Sequence, residues 1–182
     1  MAKQVETAYG DALFELCAGK GTLQQMYEQA ILLSQALGDN PELLRLLVHP
    51  DVSGQEKDEL LVNSLGGFLS EDYLGTLRLM CAKAHAAHIP QLTDYVIRRY
   101  KEHMRIGVVT VKSAREISAA QKKALESRIM ATAGYKSLEV TYLTDEAMIG
   151  GIRVQIGGRV MDSSVRMRMD SIVKGLRTVQ IS

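Results

Sequence analysis

The chain has 182 residues, 46% hydrophobic and 24% charged, which suits one medium or two small folded domains and excludes a disordered chain. No apolar run approaches the ~20 residues a membrane span needs, and two cysteines, Cys17 and Cys81, build no disulfide framework and fit a reducing compartment. The net charge of +1 hides an asymmetry: residues 1–106 carry 10 Lys and Arg against 14 Asp and Glu, whereas residues 107–182 carry 12 against 7.

The acidic part reads as helix throughout. Val5, Ala8, Tyr9, Ala12, Leu13 and Leu16 recur at three- and four-residue steps, the period of one apolar helical stripe. Gly19 and Gly21 end that helix. Thr22 and Gln25 have the spacing of a capping box, opening a second helix striped by Leu23, Met26, Tyr27, Ala30, Ile31 and Leu37 and closed at Gly38. Asn40-Pro41 is a cap followed by proline, which predicts a short third helix over Glu42 to Val48. Ser53 and Glu56 repeat the capping-box spacing before Leu60, Leu61 and Leu65. Ser70 is placed to cap a fifth helix carrying Tyr73, Leu74, Leu77, Met80, Cys81 and Ala84. Pro90 falls in the first turn of a sixth, with Leu92, Val96, Tyr100 and Met104.

At Gly107 the period changes from 3.6 to 2. Val108 to Val111 is β-branched and reads as a strand, and Ser118 with Gln121 boxes a helix that stops at Gly134. Leu138, Val140 and Tyr142 alternate with polar residues, as do Ile152, Val154 and Ile156. Gly157-Gly158 has the composition of a hairpin turn leading into Arg159-Val160-Met161. A last helix is expected to carry Val165, Met169, Ile172, Val173 and Leu176. The fold class is α+β in two parts: a six-helix bundle over residues 1–106, then a small α/β domain over residues 107–182.

Chemistry is scarce. Gly19-Lys20-Gly21-Thr22 lacks the earlier glycine and preceding strand of a phosphate loop and reads as an interhelical turn. Gly150-Gly151 and Gly157-Gly158 each lead into a strand, unlike a dinucleotide fingerprint; the first pair marks a bulge or a close backbone approach. Cys81, His85 and His88 would share one helical face and could hold zinc, but a structural site wants a fourth ligand. Cys81 fits the apolar stripe, and histidines are common near helix ends. The carboxylate pairs Asp11/Glu15 and Asp58/Glu59 read as helix surface. No nucleophile, cofactor or metal site emerges, so no enzyme is expected. The basic half leaves open a nucleic-acid-binding regulator, yet Arg166, Arg168 and Arg177 have no aromatic residues between them for base stacking.

Taken in order, the short motifs resemble a family. Ala8-Tyr9-Gly10-Asp11-Ala12-Leu13-Phe14-Glu15, then Leu46-Leu47-Val48-His49-Pro50, then Ile149-Gly150-Gly151-Ile152-Arg153-Val154-Gln155-Ile156, and last Val160-Met161-Asp162-Ser163-Ser164-Val165-Arg166 are similar to the delta subunit of F-type ATP synthases, called the oligomycin-sensitivity-conferring protein in mitochondria. The likeness covers nearly the whole chain. It departs at Ser163, where glycine is usual, at His85, where arginine is common, and at Gly10, where alanine is usual.

The resemblance implies a stator subunit without cofactor or active site, joining the catalytic head to the peripheral stalk. It implies that the helical domain binds the N-terminal helix of an alpha subunit between its first and fifth helices. The carried-over positions are Tyr9, Ala12, Leu13 and Leu16 on helix one, with Leu74, Leu77, Arg78 and Cys81 on helix five. Most of the same residues also read as bundle core, and periodicity leaves both readings open; Arg78 reads as exposed. The C-terminal domain is expected to meet the C-terminal helices of the b subunit, with no nucleic acid and no membrane insertion. The start of the chain shows neither a signal-peptide nor a transit-peptide bias, so a peripheral protein on the cytoplasmic face of a bacterial membrane is expected.

Overall fold

The computed structural model describes the backbone of residues 2–162 and the side chains from Val5 onward. The helix expected around Val165 to Leu176 lies outside the described residues. Six helices come first: α1 (Ala2–Lys20), α2 (Leu23–Asp39), α3 (Pro41–Val48), α4 (Gly54–Leu65), α5 (Glu71–Ala82) and, after a 3-10 turn at Ala86–His88, α6 (Ile89–His103). They are followed by β1 (Ile106–Ser113), α7 (Ala119–Ala133), β2 (Ser137–Thr144), β3 (Ile152–Ile156) and β4 (Arg159–Asp162), making an α+β chain. The chain divides into two compact units after Lys101. The change of period and of charge falls a few residues later, where β1 begins.

The first unit is built around one apolar core. Leu13, Phe14 and Cys17 of α1 meet Met26, Ala30 and Leu33 of α2, Leu61 and Leu65 of α4, Tyr73, Leu74 and Leu77 of α5, and Leu92 and Val96 of α6. Burial of these stripes, rather than intrinsic propensity, holds such short helices in place.

Local chemistry sets the helix ends, in two ways. At Ser53 and Ser118 the side chain accepts from the amide three residues on, and Glu56 or Gln121 accepts from the cap amide in return. At Thr22, Asn40 and Ser70 the expected side-chain cap does not form. The Thr22 hydroxyl turns back to the Cys17 carbonyl, Asn40 Nδ2 donates to the Ala36 carbonyl of the preceding helix, and the Ser70 hydroxyl donates to buried Gln29 at 3.0 Å. Each hydroxyl or amide has found a partner that the helix start could not outbid.

α5 ends sooner than its stripe suggested. Ala84 adopts φ 59°, a left-handed position usually held by glycine, and the His85 amide closes back on the Met80 carbonyl at 2.8 Å. Cys81, His85 and His88 therefore do not share one helix face: Cys81 is on α5, and both histidines belong to the turn beyond it.

The second unit is a four-stranded sheet in the order β2-β1-β3-β4. β1 and β2 are parallel and joined through α7, whereas β3 pairs antiparallel with both β1 and β4. Val109, Val111 and Val154 form its buried centre with Ile129 of α7, flanked by Leu138, Val140, Tyr142, Ile152 and Ile156. Alternation along each strand puts these residues on one face. The β3–β4 hairpin pairs Ile156 with Arg159, and only Gly157 of the two turn residues has positive φ (55°), the pattern of a turn with glycine at its first central position. Gly151 also has positive φ (88°), in the loop that enters β3.

Candidate functional site

α1 and α5 lie side by side and antiparallel. Lys20 Nζ sits 2.7 Å from an Asp72 carboxylate oxygen at the start of α5, and the Tyr9 hydroxyl is 3.1 Å from His85 Nδ1 just past its end. The Tyr9 and His85 rings also meet edge to face, with centroids 5.9 Å apart. These pairs, 11 residues apart along α1 and 13 apart from Asp72 to His85, bracket the seam between the two helices.

Leu13, Leu74 and Leu77 are buried in the core beneath this seam. Tyr9 is half-buried at one end, Ala12 is exposed, and Leu16 is 44% exposed although large and apolar. Arg78 and Cys81 are on a different side of α5. Arg78 pairs with Asp58 of α4 and approaches Glu71 at 3.6 Å, and the Cys81 thiol lies within the field of Lys57 and Asp58 of the same helix. The eight positions thus divide among a core, an α1 surface and an α4-facing surface.

The α5 residues on the α1 side follow from Asp72 by helical steps: Gly75, Thr76 and Leu79. Leu79 is 49% exposed, and nothing stands within 4 Å of where a Cβ at Gly75 would be. The exposed edge of the seam therefore carries Ala12 and Leu16 on the α1 side and Gly75 and Leu79 on the α5 side. Small residues at such an edge would admit another helix closely, and the two leucines would offer it apolar contacts. Gly75 and Leu79 went unselected in the sequence because they interrupt the main apolar arc of α5; an apolar residue on the otherwise polar side was the available signal.

The described residues offer no machinery for covalent chemistry. Burial pushes both thiols up, at Cys17 with the nearby Asp72 adding to the rise and at Cys81 with Asp58 doing so, which leaves them protonated and poorly nucleophilic. No group of three His, Cys, Asp or Glu side chains is arranged to hold a metal ion among the described residues. Tyr142, pushed up to about 12 mainly by desolvation and then by Glu126, is bonded to that carboxylate at 2.8 Å and braces α7 against β2.

Helices followed by a small mixed sheet, with Leu16 and Leu79 exposed along one interhelical seam, make a two-unit α+β protein. A family model described as the ATP synthase delta (OSCP) subunit matches residues 5–176, and the chain belongs to that family. It is 33% identical over 181 residues, the whole of both chains, to the protein named ATP synthase subunit delta of Lachnoclostridium phytofermentans. It is 31% identical over 172 residues, 94% of each chain, to the protein of that name from Bacillus subtilis strain 168. A chain in the cryo-EM structure of the Toxoplasma gondii mitochondrial ATP synthase hexamer has the same fold, with a TM-score of 0.71, 18% identity and coverage of 94% and 96%. The nucleic-acid reading gains no support from these relatives, and Arg166, Arg168 and Arg177 lie outside the described residues.

Proposed function

We propose that the chain is a non-catalytic stator subunit of an F-type ATP synthase, linking the catalytic head to the peripheral stalk so that the head does not turn with the rotor. Family membership over residues 5–176 is the observation that carries this reading. The six helices act as a bundle, taken with its connection as residues 1–106, that receives the N-terminal helix of an alpha subunit. The α1–α5 seam, with Tyr9, Ala12, Leu16, Gly75 and Leu79 in contact, is its seat. Leu13, Leu74 and Leu77 act from below by fixing the two helices, and Arg78 and Cys81 by holding α5 to α4. Residues 107–182 meet the C-terminal helices of the b subunit, and their basic balance favours an acidic or mixed-charge partner surface.

Attachment to the membrane runs through the complex, on the cytoplasmic face in a bacterium. Among the described residues no helix is long and apolar enough to cross a membrane. A stator is dispensable for chemistry but necessary for coupling. Removing this chain from the purified, reconstituted complex is expected to leave ATP hydrolysis by the head intact while abolishing proton-driven synthesis. Retained synthesis in a complex verified to lack the chain would contradict the reading.

A further inference from the structure

We infer that a second groove, formed by α2, α3 and α4, docks a basic amphipathic helix of a partner protein. This goes beyond the stator reading and does not rest on it. The groove has a volume of about 350 Å³ and is lined by Ala36, Leu43, Leu46, Leu60 and Leu65, with Glu42 at its edge. Leu46 is 44% exposed within it, and Leu32, one turn before Ala36 on the same stripe of α2, is 46% exposed. Two large apolar side chains held in water beside an apolar trough form the anchor pattern of helix-in-groove recognition.

Charge identifies the occupant. Residues 22–69 carry seven Asp and Glu against two Lys and Arg, the most acidic stretch of the chain. Two of these groups are already engaged elsewhere: Asp58 pairs with Arg78, and Lys57 lies toward Cys81 of α5. Of the six other carboxylates, three belong to the groove's surroundings: Glu42 lines its edge, Asp39 is next to the lining residue Asn40, and Glu56 is one turn before Leu60. Hydrogen bonds from Ser53 hold the Glu56 carboxyl below its ordinary range and keep it anionic. Arg45 is the one basic side chain on α3. An apolar trough with an acidic rim selects a helix with leucine-like anchors on one face and Lys or Arg along its flanks.

The test uses the full chain, isotope-labelled for amide NMR, and two synthetic amphipathic helices of about 18 residues, five turns each. Both have leucines at helical spacing on one face; one carries Lys on the other face and its twin carries Glu. The Lys peptide should shift amides within 32–46 and 56–64 and bind at least about tenfold more tightly than the Glu peptide, by an amount that shrinks as salt rises. Leu46→Lys and Leu32→Lys should each weaken it about tenfold with unchanged thermal midpoints, because both side chains are exposed in the folded chain. Equal binding of the two peptides, shifts confined to α1 and α5, or undiminished affinity in both variants would overturn the proposal.

Discussion

Gly10 shows how one residue sets a helix crossing. It is buried on α1 against the Tyr95 ring of α6, and a Cβ there would overlap that ring. The Tyr95 hydroxyl donates to Asp11 at 2.7 Å, and the Arg98 guanidinium lies 5.6 Å from the ring centroid, so the ring is not free to swing away. Alanine, usual at this position in the family the sequence resembles, is therefore expected to destabilise this chain. Gly10→Ala should cost about 1–3 kcal/mol in denaturant unfolding, the range for overpacking, and shortening Tyr95 in the same chain should recover part of it. An unchanged midpoint would mean that the helices separate at no cost. Tyr73 makes the opposite case. It is fully buried, and its hydroxyl, with Thr93 as polar neighbour, makes no hydrogen bond of ordinary geometry among the described residues. Tyr73→Phe removes an unsatisfied group without opening a cavity, so stability should hold or rise by up to about 1 kcal/mol.

At the scale of the element, what matters is where each cap finds its partner. Ser118 completes a capping box, and Ser118→Ala should cost about 1 kcal/mol, whereas Thr22→Ala should cost only a few tenths, since Thr22 does not cap its helix. Paired urea titrations would separate the two. The Ser53–Glu56 box adds a pH dependence. Its carboxyl lies below the ordinary value because the Ser53 amide and hydroxyl bond to it. The stability it contributes is present above the unfolded carboxylate value and lost as pH falls through the folded one. Ala84 in the left-handed region points to a stabilising change: Ala84→Gly should raise stability by up to about 1 kcal/mol, less the added freedom of the unfolded chain.

These elements also mark what the sequence could reveal. The stripes of α1 to α6 and the alternation of β2 and β3 were legible because burial imposes its period directly on the residues. The boxes at Ser53 and Ser118 were legible because both partners lie within three residues. Ser70 was not, since its hydroxyl answers to Gln29, 41 positions away. The Cys81, His85 and His88 face was misread because Ala84, with nothing in its side chain to announce it, takes a backbone angle that ends the helix. On α5 the apolar arc was visible, but not which neighbour each part of it meets; long-range pairs such as Lys20–Asp72 and Arg78–Asp58 distinguish the α1 side from the α4 side.

At the scale of the whole molecule, two units of unlike charge and architecture suit a connector, each unit offering a different partner a different surface. Association of the second unit with the b-subunit helices should weaken steeply with ionic strength, as expected for a basic surface meeting an acidic one. Salt-insensitive binding would instead point to apolar contacts on the sheet. The central claim is that the exposed edge of the α1–α5 seam holds the alpha-subunit helix. Its most direct test is calorimetric titration of the full chain, and of Leu16→Asp and Leu79→Asp variants, with a synthetic N-terminal alpha-subunit peptide. The account predicts saturable one-to-one binding that falls at least about tenfold in each variant while the fold stays intact, because both side chains are half exposed. Undiminished affinity in both folded variants, or no binding to the parent chain, would contradict it.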